Sequence, residues 1–141
     1  MRVFFGSAIA VGLLTLAPAQ AATPSLYERL GAQPAITAVV DDFVTNVAAD
    51  KRINHYFAKT DLAALKYHLV EQICAGTGGP CVYTGKDMKT AHQGLGITNR
   101  DFNALVQDLG KSLKKFKVKA REQKELVAIL APMRKDIVEK K

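Results

Sequence analysis

Several residue types are scarce in this chain. Tryptophan is absent, aromatic residues make up 7%, and only two cysteines occur in 141 residues. The length suits one domain of ordinary size, which excludes an enzyme with separate cofactor and substrate lobes. Hydrophobic residues nevertheless reach 48% and charged residues 23%, which is the balance of a chain that buries a core. Wholesale disorder is therefore not expected.

Strand-like alternation, internal repeats and low-complexity tracts are also absent, and four apolar stripes with helical spacing predict an all-α fold. The first stripe follows Pro34, the second begins after Asp61 and ends at Gly76, and the third starts with a capping-box pattern at 98–101. Pro132 lies inside the fourth stripe, so a kink or break is expected there. The stripe residues are Ile36, Val39, Val40, Phe43, Val44 and Val47; Leu62, Leu65, Leu69 and Ile73; Phe102, Leu105, Val106, Leu109, Leu113 and Phe116; and Leu126, Ile129, Leu130, Met133 and Ile137.

The N-terminus has the pattern of a secretory signal peptide. A positive start at 1–2 precedes the apolar run 3–16, and two alanines flank a polar residue at 19–21, which is the pattern of a cleavage site. A membrane anchor is the alternative, but the run is shorter than the ~20 apolar residues of a spanning helix. We expect residues 1–21 to be removed, residues 22–141 to form the mature domain, and that domain to be periplasmic or secreted. No second run of spanning length follows, so no transmembrane segment is expected after cleavage.

The two cysteines, Cys74 and Cys81, flank a turn rich in glycine and proline. An exported chain meets oxidizing conditions, so the preferred interpretation is an intramolecular disulfide. Two free thiols or a metal pair are the alternatives. A metal pair lacks the second pair of Cys or His nearby that a closed tetrahedral site needs.

A short glycine-bounded segment at 83–97 does not fit a plain helix bundle. Met88, Ala91, His92 and Leu95 fall at i, i+3, i+4 and i+7, which directs an imidazole toward an apolar helix face. Such a histidine is either a hydrogen-bonded core residue or, as a neutral imidazole in an apolar pocket, an iron ligand. The pattern alone leaves both interpretations open.

A series of short motifs runs in a fixed order from residue 25 to about residue 138. The motifs are SLYERLG at 25–31, VDDF at 40–43, YF at 56–57, GGP at 78–80, YTG at 83–85 and M-K-x-x-H-x-G-L-x-I at 88–97. In this order they resemble the motifs of group I truncated hemoglobins. Because the chain also has the pattern of a signal peptide, it resembles in particular the exported, proteobacterial-type members of that family.

The resemblance implies a two-over-two helical sandwich around one heme b per chain. His92 matches the family's proximal iron ligand, and Phe57 matches a ring that packs on the heme face. Further positions match residues that line the heme pocket: Phe43, Tyr56, Leu65, Leu69, Met88, Ile97 and Phe102. On the distal side, Val44 and His68 are also expected to line this pocket.

The chain also departs from the family pattern on the distal side. Val44 stands where the family usually has a tyrosine that holds oxygen, and Leu65 and Leu69 stand where a glutamine often occurs. A missing hydrogen-bond donor should speed oxygen release. His68 matches a position at which some cyanobacterial members bind iron from the distal side; the alternative is a half-exposed histidine.

Basic residues crowd the link between the last two predicted helices, and the formal net charge is +7. This stretch either meets an anionic partner, such as an acidic redox protein, or is a solvated face. Nucleic acid is not expected, because no aromatic stacking platform lies among these charges. The basic residues of this stretch are Lys111, Lys114, Lys115, Lys117, Lys119, Arg121 and Lys124.

Elsewhere in the chain, either Lys66 or Lys89 is expected to pair with the heme propionates.

The resemblance leads us to expect a heme protein that reversibly binds oxygen or another diatomic gas, such as nitric oxide or carbon monoxide, for storage, delivery or sensing. One alternative is an enzyme: a nitric oxide dioxygenase, or a protein with peroxidase-like activity. The other is electron transfer by iron held between His92 and His68. The missing distal donor makes a gas-binding protein the preferred expectation over a dedicated enzyme.

Overall fold

The computed structural model describes residues 17–140, and within this range the four helices predicted from the apolar stripes are present. The all-α prediction is confirmed, since the one bridge between extended segments in residues 17–140 joins Thr98 to Lys140. The elements are α1 (Leu26–Arg29), α2 (Ala32–Ala49), a 3-10 turn (Asn54–Phe57), α3 (Leu62–Gly76), α4 (Met88–His92), α5 (Asn99–Lys115), α6 (Ala120–Leu130), a second 3-10 turn (Ala131–Met133) and α7 (Arg134–Ile137).

Two pairs of long helices form the predicted two-over-two sandwich. Helix α2 packs on α3 and also on α5, while α6 packs on α5 and on the short α1. The main core lies between these layers and takes its largest share from α2, whose stripe residues are buried. A smaller apolar cluster joins Ile97, Phe102 and Ile137 near the N-terminal end of α5.

The predicted helix ends are confirmed in atomic detail. The side chain of Asp61 accepts hydrogen bonds from the backbone amides of the first turn of α3. Thr98 and Asp101 form a reciprocal capping box at the start of α5. Pro132 breaks the fourth stripe, because proline cannot supply the amide hydrogen of a continuing helix, and the chain takes a 3-10 turn there.

Three residues of the predicted apolar helix faces are more exposed than the pattern predicts. Leu62 is 39% exposed, Phe116 is 42% exposed and Leu95 is 44% exposed. Leu62 is the first residue of α3 and Phe116 follows the last residue of α5, so each lies where its helix leaves the core. Leu95 lies beyond the end of α4, because that helix stops at His92.

A covalent and hydrogen-bonded turn closes the C-terminal end of α3. The structure pairs Cys74 with Cys81 in a disulfide, and the amide of Gly79 donates to the carbonyl oxygen of Cys74 at 2.8 Å. The amide of Tyr27 donates to the carbonyl oxygen of Thr77 at 2.9 Å, which holds α1 against this turn. Residues 17–21 take neither helix nor strand, and the rest of the predicted leader lies outside the described residues.

Candidate functional site

A cavity of about 500 Å³ opens between α3, α4 and α5, and its walls are mainly apolar. Its size falls in the range of small-molecule and cofactor sites. The structure brings together ten of the eleven residues that the resemblance assigned to a heme pocket. These are Phe43, Tyr56, Phe57, Leu65, His68, Leu69, Met88, His92, Ile97 and Phe102.

Val44 is the exception, and the expectation that it lines the pocket is corrected here. It is only 3% exposed, but it packs in the main core and is not part of the cavity wall. Its short side chain packs against the other residues of the main core and does not reach the cavity.

His92 is held in one orientation by its own helix. Its Nδ1 atom lies 2.7 Å from the carbonyl oxygen of Met88, four residues earlier, so Nδ1–H donates to this oxygen. The bond places the proton on Nδ1 and leaves the lone pair on Nε2, which is the state in which an imidazole coordinates a metal. The helix is short because Asp87 caps it by accepting from the amide of Thr90, and Gly94 adopts a left-handed backbone just after it.

His68 lies on α3 and lines the same cavity. Its side chain is 39% exposed, and its Nδ1 atom lies 3.1 Å from Oε2 of Glu71. Glu71 also accepts from the amide and the hydroxyl of Thr84. Burial alone would raise the pKa of Glu71, but the Thr84 amide, the His68 ring and the Thr84 hydroxyl outweigh burial and lower the pKa to about 2.

The hydroxyl groups of two tyrosines in the cavity wall form hydrogen bonds within the protein. The hydroxyl of Tyr56 donates to Asp101 at 2.8 Å, and the hydroxyl of Tyr83 donates to the carbonyl oxygen of Lys86 at 2.6 Å. Burial, followed by the hydrogen bond to Asp101, raises the pKa of Tyr56, so this phenol stays protonated near neutral pH. Neither hydroxyl hydrogen is left free for a molecule in the cavity.

Other lining residues were missed by the sequence reasoning. Gln72, one turn beyond Leu69, reaches across to the sulfur atoms of Met88 and Met133. Its position three residues after Leu69 on the α3 stripe could have indicated it. Tyr83 begins the YTG motif, but the resemblance assigned it no place in the pocket. Lys86 lies in the irregular segment before α4 and outside the motifs, so no pattern signaled it.

Neither lysine expected at the heme propionates lines the cavity. The amine of Lys66 instead lies 3.1 Å from Asp41 on α2. Lys89 is exposed on α4, whereas Lys86, in the irregular segment before that helix, is part of the cavity wall. The basic side chain at the cavity is therefore a different lysine from those expected.

The basic stretch lies at the end of α5 and the start of α6, and part of its charge is paired. Lys115 binds Asp42, Lys111 lies 3.0 Å from Asp108, and Arg121 pairs with Glu125 within α6. The remaining basic side chains of the stretch are exposed: Lys114, Lys117, Lys119 and Lys124. These contacts account for part of the stretch as structural ion pairs and leave the rest as an exposed basic surface.

The family model described as bacterial-like globin matches residues 25–139. The chain is 36% identical over 113 residues to the group 1 truncated hemoglobin GlbN of Mycolicibacterium paratuberculosis, covering 80% of this chain and 83% of the relative. It is 33% identical over 116 residues to the group 1 truncated hemoglobin of Tetrahymena pyriformis, covering 82% and 96%. The chain belongs to the group 1 truncated hemoglobin family.

Solved truncated hemoglobins share this fold. The Fe(III) form of the Tetrahymena pyriformis protein superposes with a TM-score of 0.79 at 32% identity, covering 82% of this chain and 98% of that one. The 2/2 hemoglobin of a Synechococcus species, solved in the cyanomet state with covalently attached heme, gives 0.77 at 32% identity with the same coverage. Membership of this family implies heme as the cofactor. The apolar cavity with an oriented imidazole on α4 fits that group.

In residues 17–140 no helix combines the length and the apolar character that crossing a membrane requires.

Proposed function

We propose that this chain holds one heme b in the cavity and reversibly binds oxygen or another diatomic gas there, with His92 as the proximal iron ligand. The observation that carries the proposal is the hydrogen bond from His92 Nδ1 to Met88, which leaves the Nε2 lone pair available to a metal at an apolar cavity. When bound, heme iron supplies an open coordination position for the gas.

The remaining side chains set how firmly a gas is held. Leu65 and Leu69 present hydrocarbon on the α3 wall, and the hydroxyl hydrogens of Tyr56 and Tyr83 are already donated elsewhere. A bound oxygen that gains negative charge finds little hydrogen-bond support from these groups, so we expect fast release. This lining supports gas binding more strongly than it supports a dedicated nitric oxide dioxygenase or a peroxidase-like enzyme.

A second candidate function is electron transfer by iron held between two histidines. The observation that favors it is the presence of His68 from α3 and His92 from α4 in the wall of one cavity. Two imidazole ligands would keep the coordination similar in both oxidation states and would leave no open position for gas. A redox partner would then be required.

One set of absorption spectra of the purified protein tests the proposal. We expect heme bands in the ferric state, a shift after reduction with dithionite, and a new spectrum with carbon monoxide. His92→Gly should lose most of its heme on purification and regain it with added imidazole, because the free ligand fills the space of the missing side chain. His55→Gly is the matched control, since His55 lies exposed in the 3-10 turn. Heme retention by His92→Gly with an unchanged spectrum would exclude His92 as the ligand.

We also propose that the chain is exported and that residues 1–21 are removed. The sequence pattern of the N-terminus supports export, and the disulfide between Cys74 and Cys81 is compatible with an oxidizing compartment. Mass spectrometry of the periplasmic fraction of an expressing bacterium should find a chain that begins at Ala22 or Thr23. An intact N-terminus in the cytoplasmic fraction alone would contradict export.

A further inference from the structure

Glu71 is a buried carboxylate that the gas-binding proposal does not use. It is 8% exposed and lies one turn after His68 on α3. A buried carboxylate is costly unless hydrogen bonds compensate it, and Glu71 accepts them from Thr84 and from His68. Its partners therefore come both from its own helix and from the segment that follows the disulfide.

The contact with His68 determines which ring nitrogen carries the proton. An ionized carboxylate can only accept hydrogen bonds, so the Nδ1 atom that lies 3.1 Å from Glu71 must be the donor. A neutral imidazole carries one ring proton, and Nε2 of His68 is then left with a lone pair. Such a nitrogen can coordinate a metal, but it cannot donate a hydrogen bond to a gas molecule.

Glu71 is itself held in place, so the orientation of His68 does not depend on one flexible pair. Its Oε2 atom lies 3.1 Å from the amide nitrogen and 2.8 Å from the hydroxyl oxygen of Thr84. The disulfide between Cys74 and Cys81 fixes the start of the segment that carries Thr84. The carboxylate is thus held between His68 and the segment that follows the disulfide.

We propose that Glu71 is a positioning residue that holds His68 as the Nδ1–H tautomer, so that a lone pair rather than a proton is presented at Nε2. This inference rests on the proposed function, since it specifies how the distal wall treats a gas or the iron. The arrangement selects His68 as a metal ligand and excludes it, in its neutral form, as a donor to bound oxygen. Glu71 in this way contributes to ligand specificity without touching the ligand.

Three variants separate this role from a purely structural tether. Glu71→Met removes both acceptor oxygens at similar size. Glu71→Gln keeps an acceptor oxygen for Nδ1–H and serves as the conservative variant that should retain the wild-type behavior. Thr84→Val removes only the hydroxyl contact and leaves the Thr84 amide and His68 untouched. If Glu71 acted merely by fastening the segment, Thr84→Val and Glu71→Met would have the same effect.

The tautomer is read from the ¹⁵N resonances of the His68 ring by nuclear magnetic resonance on the carbon monoxide complex, which is diamagnetic and keeps His68 off the iron. The wild type, Glu71→Gln and Thr84→Val should show a protonated Nδ1 and an unprotonated Nε2. Glu71→Met should shift the tautomer ratio by about tenfold toward Nε2–H, the scale of one charge-assisted hydrogen bond. The infrared stretch of carbon monoxide should fall in Glu71→Met alone, because only that variant has a proton on Nε2 that can be donated to the gas.

A protonated Nε2 in the wild type would overturn the inference, and so would an unchanged tautomer in Glu71→Met. Equal shifts in Glu71→Met and Thr84→Val would assign Glu71 a tethering role and overturn it as well. Failure to bind heme would contradict the proposed function, whereas a carbon monoxide complex with an unchanged tautomer in Glu71→Met would contradict only the role of Glu71.

Discussion

The hydroxyl of Tyr56 donates a hydrogen bond to Oδ2 of Asp101 at 2.8 Å, and the same carboxylate oxygen accepts from the amide and the hydroxyl of Thr98 at the start of α5. One carboxylate therefore caps a helix and holds the tyrosine that lines the cavity. Because its proton is used in this way, Tyr56 contributes its ring to the pocket wall and not a hydrogen bond to a ligand.

Substitution of Tyr56 by phenylalanine tests this division of roles. We expect Tyr56→Phe to lower the free energy of unfolding by about 1 kcal/mol, the net contribution of one hydrogen bond, and to leave the rate of oxygen dissociation nearly unchanged. Urea unfolding and stopped-flow kinetics give the two quantities. Tyr83→Phe is the matched control, since its hydroxyl also donates to the protein, at the carbonyl oxygen of Lys86. A large acceleration of oxygen release in Tyr56→Phe alone would show that the phenol serves the ligand.

His68 should compete with external ligands if it reaches the iron. An intramolecular imidazole has a high effective concentration, so even a poorly fitting bond populates a six-coordinate state, and gas binds only to the open fraction. We expect His68→Leu to convert a low-spin spectrum into a five-coordinate one and to speed carbon monoxide binding. A ferrous wild type that is already five-coordinate and high-spin would contradict internal ligation of the ferrous iron.

The disulfide should stabilize the folded chain measurably. Replacement of Cys74 and Cys81 together by serine should cost about 2–3 kcal/mol, the value for cross-linking a loop of this short length. The difference is read from urea unfolding of the variant and of the oxidized wild type. Mass measurement after alkylation of the purified, unreduced protein should detect no free thiol. Alkylation of both cysteines without reductant would show that the bond is absent in the isolated protein.

Gly79 occupies a place that no side chain can enter without rearrangement. A Cβ atom there would lie 2.6 Å from the Tyr27 ring and 2.7 Å from the sulfur of Cys74. Gly79→Ala should therefore lower the melting temperature. Gly110→Ala is the matched control, because nothing lies within 4 Å of its Cβ position and alanine favors the helix interior by up to about 1 kcal/mol. We expect the control to be neutral or stabilizing; equal losses in both variants would contradict the packing argument.

The acid stability of the chain should depend on Asp42. A hydrogen bond from Lys115, and then one from Ser112, lowers the pKa of this carboxyl in the folded protein. Its stabilizing contribution is therefore fully present above the unfolded value of about 3.9 and is lost as the pH falls through the lower folded value. Asp42→Asn should flatten the acid limb of a plot of unfolding free energy against pH. Asp41→Asn should change it little, because that carboxylate is 55% exposed and forms a surface pair with Lys66.

Much of the fold was predictable because the apolar spacing specifies it. The stripe from Ile36 to Val47 corresponds to a helix whose stripe residues are all buried, and the capping residues Asp61 and Thr98 mark helix starts. These signals are local, so they can be read from neighboring residues. The burial of Leu62 and Phe116 was overestimated, because periodicity does not show where a helix leaves the core.

The candidate site was predictable where its residues belong to the motifs of the family. His92 lies on the cavity as the resemblance implies, whereas Val44 does not, since a matching position does not determine whether a shorter side chain reaches the pocket. Glu71 was not recognized, because its role depends on Thr84, which lies thirteen residues away in the irregular segment beyond α3. No periodicity or spacing rule connects such a pair before the turn between them is built.

Arg29 binds both Glu122 and Glu125 on α6, across 93 and 96 residues of the sequence. A polypeptide that emerges from the ribosome N-terminus first has α1 available early, but the acidic partners of Arg29 are synthesized almost last. Closing so long a loop costs conformational entropy, and this cost is smaller when the intervening helices have already formed. The ion pairs between α1 and α6 can form only after α6 has been synthesized, so we expect them to form late in folding.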